Sequence, residues 1–270
     1  MNKKMSAVFV DCTPDIAPLL SKQIVELAPP THIYNTEPLN EDELIDRLQP
    51  YAIAVVYMAF LSEKVLVSCP KLKSVVYLST GLATHVDMEA ASRLGIDIHG
   101  IKGYGDRAVA EHTIALMFAA ARKIGVMDRG GRGGSWFFQR GVEAQSRTFG
   151  VIGLGGIGIE VARIANALGM RVIGWNRSKI DPGVPCHLLD VDELIGESDV
   201  ISLHLTLCDE TENFIDKSRI DLIKKGSILI NTARAQLDNE AALLDALNAD
   251  QFFAALDVFH EEPPKPDSGI

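Results

Sequence analysis

Thr148 to Ser178 reads TFGVIGLGGIGIEVARIANALGMRVIGWNRS, and the fold is decided there. Phe149-Gly150-Val151-Ile152 is a short apolar run closed by glycines, as suits a strand buried on both faces. Gly153-Leu154-Gly155-Gly156-Ile157-Gly158 then fits the pattern G-x-G-x-x-G. Ile157, Val161, Ile164, Ala165 and Leu168 recur at helical spacing, and Gly169 is placed to stop that helix. Arg171 to Trp175 reads as the next strand. Strand, glycine turn, helix and strand in this order form the setting in which the glycines gain a meaning. Gly153 lets the chain turn off the strand, Gly155 lets a pyrophosphate approach bare backbone, and Gly158 lets helix and strand pack closely. Amides at the helix mouth, with the dipole behind them, hold the phosphate charge. The stretch predicts a Rossmann dinucleotide-binding domain.

The tip of the second strand sets cofactor preference. An NAD site places a carboxylate about twenty residues past the glycines. Here the tip is Asn176-Arg177-Ser178, with no acid to repel a 2′-phosphate and with Arg177 and Ser178 able to receive one. The expected cofactor is therefore NAD(P)(H), leaning to NADP(H). The competing reading makes Arg177 a solvated charge and leaves both cofactors acceptable.

Composition narrows the class. The chain has 270 residues, enough for one large or two medium domains, and 47% are hydrophobic, enough for a sizeable core. A net charge of −10 argues against nucleic-acid or anionic-membrane partners. Cys12, Cys69, Cys186 and Cys208 are far apart, so they predict no metal site and no disulfide framework, but small buried side chains in a reducing compartment. No apolar run approaches the length of a signal peptide core or a membrane span, and a cytoplasmic location is expected.

Strands and helices alternate along the first hundred residues. Expected strands are Ala7–Val10, Ala52–Tyr57, Ser74–Leu78 and Ile96–Ile98. Expected helices run from Ile16 to Leu27, from Ser62, and from Met88 to Leu94 before Gly95. This implies a parallel sheet covered on both faces, a companion domain over residues 1–100 beside a dinucleotide domain over 101–270. A long helix is expected over Asp106–Lys123, with Val109, Thr113, Leu116, Met117 and Ala120 on its apolar face. The glycine-arginine run from Arg129 to Ser135 reads as a loop, anchored by Trp136 and Phe137. Beyond Ser178, strands are expected at Val200–Leu203, Ser227–Asn231 and Phe252–Leu256, with Asp238 capping a helix to Leu247.

Several further motifs fall in one order: Ser79-Thr80-Gly81, Val86 to Ala91, DRAVAEH from Asp106 to His112, and the glycine fingerprint. After them come His204-Leu205-Thr206, Asn231-Thr232-Ala233-Arg234, Leu256 to Phe259, and Glu262-Pro263. In these motifs, from about Leu72 to Pro263, the chain resembles the D-isomer-specific 2-hydroxyacid dehydrogenases. That group includes phosphoglycerate, glyoxylate/hydroxypyruvate and D-lactate dehydrogenases. The resemblance implies an α/β enzyme of two domains, the first a smaller flavodoxin-like substrate domain lacking its usual C-terminal return segment. It implies hydride exchange between a nicotinamide cofactor and a small 2-oxo or D-2-hydroxy acid, with the domains closing over a cleft. It also implies a homodimer built on the Asp106–Lys123 helix and the loop after it.

Residue by residue, the resemblance gives the pyrophosphate to Gly153, Gly155, Gly156, Ile157 and Gly158. The rest of the cofactor falls to Asn176, Arg177, Ser178, Thr232, Ala233 and Asp257. It gives the substrate carboxylate and carbonyl to Arg234, whose bidentate guanidinium suits a planar 2-oxo acid. The backbone at Thr80 and Gly81 would hold the same carboxylate. Glu262 matches the glutamate that raises the pKa of the family's acid/base histidine. That histidine lies in a loop a short way past Glu-Pro, where this sequence ends. His112 and His204 read as structural and His260 as incidental; His32, His85, His99 and His187 stand in other contexts. Two expectations follow: either the sequence is the incomplete part of an ordinary enzyme, which the Pro-rich ending favours, or it is naturally short. A different class stays open beside the dehydrogenase, namely a dinucleotide-sensing interaction protein of the corepressor type that binds cofactor without turnover.

Overall fold

The structure, a computed structural model, describes residues 6–20, 31–78, 82, 85–181 and 183–265. The chain divides into two compact units, Met1–Lys102 and Gly103–Ile270.

The first unit is built on a parallel sheet of β1 (Ala7–Phe9), β2 (Thr31–Ile33), β3 (Ile53–Val56), β4 (Ser74–Tyr77) and β5 (Asp97–Gly100). Their order is β2-β1-β3-β4-β5, the flavodoxin-like order. Helices α1 (Glu41–Leu48), α2 (Glu63–Ser68) and α3 (Met88–Leu94) accompany it. Each begins on a side chain that accepts an amide: Asn40 from Glu43, Ser62 from Val65, and Asp87 from Ala90. Gly95 ends α3 in the left-handed region at φ 67°. Two buried charges fix the loops at the sheet's carboxyl edge. Asp11 accepts the amides of Tyr57, Met58 and Ala59, each at 2.8 Å. Arg47 donates to the carbonyls of Val10 and Thr36 and to Glu43.

The second unit carries β6 (Thr148–Ile152), β7 (Arg171–Trp175), β8 (His187–Leu188), β9 (Val200–Leu203), β10 (Ile228–Asn231) and β11 (Phe253–Leu256). All pairs are parallel and the order is β11-β10-β9-β6-β7-β8. Counted from β6, that is the doubly wound order 3-2-1-4-5-6, read from the far edge. Its helices are α4 (Asp106–Ala121), α5 (Ile124–Arg132), α6 (Gly156–Ala167), α7 (Val191–Glu197), α8 (Lys217–Leu222) and α9 (Glu240–Asn248). The sheet has a core on each face, which is why β6 is buried at all five positions. Phe149 and Val151 pack with α4 and α6, while Ile152 packs with α7 and α9 on the other side. Each such side chain, fully buried, contributes about 1.5–3 kcal/mol. The expected α/β class with two parallel sheets is therefore present.

Several local expectations need correction. α4 ends at Ala121, because Lys123 adopts φ 55°, and its buried face is Ala110, Thr113, Ile114, Met117 and Ala121, turned from the one expected. The glycine-arginine run is helical through Arg132, so α5 takes most of the expected loop. Trp136 does not anchor that segment: it is fully solvent-exposed, and Phe138 nearly so. Lys123, half-buried, holds its ammonium over the Phe253 ring on the outer strand β11. Asn239, not Asp238, caps α9 by accepting the Ala242 amide. Cys208 is exposed, although Cys12 and Cys69 are buried. Of the helix expected at Ile16–Leu27, the described part holds only a 3-10 turn, Ala17–Leu19, and residues 21–30 lie outside the described set. No helix among the described residues is long and apolar enough to cross a membrane.

Candidate active site

The turn from β6 into α6 is shaped by what its glycines leave empty. Gly153 takes φ 97°, and a Cβ there would stand 2.6 Å from the His204 carbonyl oxygen at the end of β9. A Cβ on Gly158 would stand 1.9 Å from the Gly153 carbonyl oxygen, so helix and strand meet only because it is absent. A Cβ on Gly156 would fall on the Asp106 carboxylate at the start of α4. Gly155 differs: a Cβ there meets nothing within 4 Å. It is also the N-cap of α6 and supplies no side chain to the free amides of the first turn. A helix mouth with bare amides and open space in front of Gly155 fits a pyrophosphate. Ile157 lies in that first turn, as expected.

The tip of β7 closes over the same turn. Asn176 Oδ1 accepts the Leu154 amide at 2.9 Å, and its Nδ2 donates to the Ser178 carbonyl and hydroxyl at 3.0 and 3.1 Å. Asn176 is thus a brace for the glycine loop. Arg177 reaches outward to Glu210 at 2.5 Å, with both side chains exposed. The expectation of no acid at this tip is corrected: a carboxylate arrives from the segment after β9, thirty-three positions along the chain.

The carboxyl end of β10 carries the second half. Asn231 is fully buried. Its Nδ2 donates to the Arg234 carbonyl and to Asp238 Oδ2, both at 2.9 Å, and its Oδ1 accepts the Ala233 amide at 3.0 Å. One amide therefore organises the whole Thr232–Asp238 turn. Arg234, partly buried, donates from Nη1 to the Ala233 carbonyl at 2.7 Å and pairs with no carboxylate among the described residues. Such a guanidinium keeps most of its five donors for an incoming anion. Thr232 meets Thr113 of α4, oxygen to oxygen, at 3.0 Å.

Asp257 follows β11 and faces His112 of α4, Oδ1 to Nε2, at 3.2 Å. Glu262 turns onto its own loop, accepting the Phe259 amide at 3.0 Å. Thr80 and Gly81 lie outside the described residues. His204 is partly buried, its Nε2 2.6 Å from the Ser202 hydroxyl, and desolvation of the ring pushes its pKa down to about 4. His260 is not incidental: its Nε2 lies 3.7 Å from the buried Asp238. Sequence alone missed the His112–Asp257 and His260–Asp238 pairs and the pivot at Asn231. The two pairs join positions distant in sequence, whereas Asn231 holds neighbours within seven residues, and its motif left a local signal.

Comparison with known proteins agrees with this geometry. Residues 114–270 match the family model described as D-isomer specific 2-hydroxyacid dehydrogenase, NAD binding domain. Glyoxylate reductase of Aeropyrum pernix is 39% identical over 210 residues, covering 73% of this chain and 62% of that protein. D-3-phosphoglycerate dehydrogenase of Archaeoglobus fulgidus is 36% identical over 239 residues, covering 86% of this chain and 45% of that protein. The chain thus spans roughly half to three-fifths of the length of these relatives. Among solved structures, an acyclic imino acid reductase (Bsp5) in complex with NADPH and D-Arg superposes with a TM-score of 0.88 at 32% identity, covering 98% of this chain and 87% of that one. With the glycine turn open over Gly155 and an unpaired arginine at the end of β10 in the same sheet, these matches place the chain in the D-isomer-specific 2-hydroxyacid dehydrogenase family.

Proposed function

We propose that the protein is an NAD(P)-dependent reductase of small 2-oxo acids to D-2-hydroxy acids. One observation carries this reading: Arg234 stands at the carboxyl end of β10 without an acidic partner among the described residues, in the sheet whose β6–α6 turn is open for a pyrophosphate. The names of the relatives, glyoxylate reductase and phosphoglycerate dehydrogenase, support the substrate class. Bound nicotinamide supplies the hydride. Gly153, Gly155, Gly156, Ile157 and Gly158 hold the pyrophosphate, and Thr232, Ala233 and Asp257 flank the nicotinamide. Arg234 binds the substrate carboxylate and draws electron density from the carbonyl, lowering the barrier at its carbon. Glu262 would support the family's acid/base histidine, whose sequence context none of the seven histidines here matches.

NADP(H) is the favoured cofactor, because Arg177 and Ser178 form the tip of β7 and, among the described residues, Arg177 is held only by an exposed Glu210. The working form is a cytoplasmic homodimer that buries the apolar surface following α4.

Calorimetry with NADPH and NADH, followed by steady-state assays of the full-length protein with glyoxylate and hydroxypyruvate, tests the cofactor and substrate assignments. NADPH binding with oxo-acid turnover is expected, and Arg234→Ala should lower kcat/KM at least about a hundredfold while cofactor affinity holds. Binding without turnover would favour the dinucleotide sensor, and absence of binding would remove both.

A further inference from the structure

Asp238 has 3% of its side chain exposed. Burial pushes its carboxyl pKa up, Asn231 and His260 pull it back, and Glu240 adds to the rise. Oδ2 receives the Asn231 amide, whereas Oδ1 faces His260 Nε2 at 3.7 Å. No Lys or Arg among the described residues pairs with it. A buried carboxylate oxygen needs a donor, and removing one costs the desolvation of the group left behind. His260 Nε2 is the complementary case, buried and without a hydrogen-bond partner among the described residues. Each group thus offers what the other lacks, and a small inward shift of the ring completes a hydrogen bond.

The pair joins two loops. Asp238 closes the turn whose Arg234 and Ala233 backbone Asn231 holds. His260 sits between Asp257 and Glu262, in a loop pinned by the Phe259 amide on Glu262. We propose that His260 is a positioning residue whose ring N–H, directed at the Asp238 carboxylate, clamps the Asp257–Glu262 loop to the Asn231–Asp238 turn and so fixes the stance of Arg234. The clamp itself is a property of the free chain; its effect on substrate rests on the assignment of Arg234 above.

Two measurements test it. In the nitrogen-proton spectrum of the whole chain, His260 Nε2–H should be slowly exchanging and should lose that protection in Asp238→Ala. Free exchange in the native chain overturns the clamp. In the second, oxamate, an inert 2-oxo acid analogue, is titrated into the chain saturated with NADPH. His260→Leu should weaken oxamate binding about tenfold with NADPH affinity unchanged, and His260→Gln, which keeps a donor, should recover most of the loss. Unaltered oxamate affinity in His260→Leu, or no recovery in His260→Gln, overturns the proposal. Arg234→Ala serves as the control. If it weakens oxamate binding while His260→Leu does not, only the positioning role fails. If it has no effect, the assignment of Arg234 fails, and the positioning role with it.

Discussion

Gly155 and Gly158 stand three residues apart and answer to different demands. Gly158 is required by the protein itself, since its Cβ would stand 1.9 Å from a backbone oxygen. Gly155 is required by nothing among the described residues, since its Cβ would meet open space there. The two substitutions should therefore separate. Gly155→Ala is expected to keep its melting temperature and lose at least about tenfold in NADPH affinity by calorimetry. Gly158→Ala is expected to lose stability first, by several degrees in thermal unfolding. Equal effects would show that Gly155 is structural. His204 gives a second prediction. Desolvation lowers its pKa from the ordinary 6.5 to about 4, so the neutral ring is the folded form and protonation favours the unfolded chain. Its contribution is complete above about pH 6.5 and is lost as pH falls toward about 4, amounting to about 3 kcal/mol at most. Unfolding by urea between those limits should show a steep fall that His204→Gln flattens. At this scale sequence identified the glycines, whose roles follow from a missing atom. It did not reveal how the side chains at Asn176, Asp238 and His260 are engaged, because each is tied to a partner that only folding brings near.

Elements were legible in proportion to how deeply they are buried. Arg171–Trp175 and Val200–Leu203 match the expected strands end to end, since strands covered on both faces leave unbroken apolar runs. β2 and β8 escaped notice, with three and two residues and partly exposed patterns. α1 is a polar helix whose buried side includes Arg47, so its periodicity does not announce a core face. The cap of α9 shows a one-residue limit: Asp238 and Asn239 are both good caps by type, and burial of Asp238 leaves the task to Asn239. Asn239→Ala should cost about 0.5–2 kcal/mol in denaturant unfolding, with oxo-acid kinetics little changed. A loss of activity larger than the loss of stability would mean that α9 also steers the Arg234 turn.

At the scale of the molecule, two parallel sheets of different strand order came through in the sequence as alternation, but their strand orders did not, because order is set by crossovers between distant segments. The segment after α4 was expected to lie against its own domain, yet Trp136 is 101% and Phe138 83% exposed. Large apolar side chains left in water mark an association surface. Sedimentation should give twice the 29.4 kDa chain mass, and the double substitution Trp136→Ser and Phe138→Ser should give a single chain. A native single chain would exclude the homodimer.

The contact between Lys123 and Phe253 has a consequence of another kind. β11 ends its sheet, and such a border carries unpaired amides and carbonyls that any extended peptide can join. The ammonium of Lys123 rests on the ring of Phe253 at that border, as a gatekeeper charge. Lys123→Leu, or acetylation at that nitrogen, would strip the flank bare. Its first symptom would be turbidity in concentrated solution, well before any fault in chemistry.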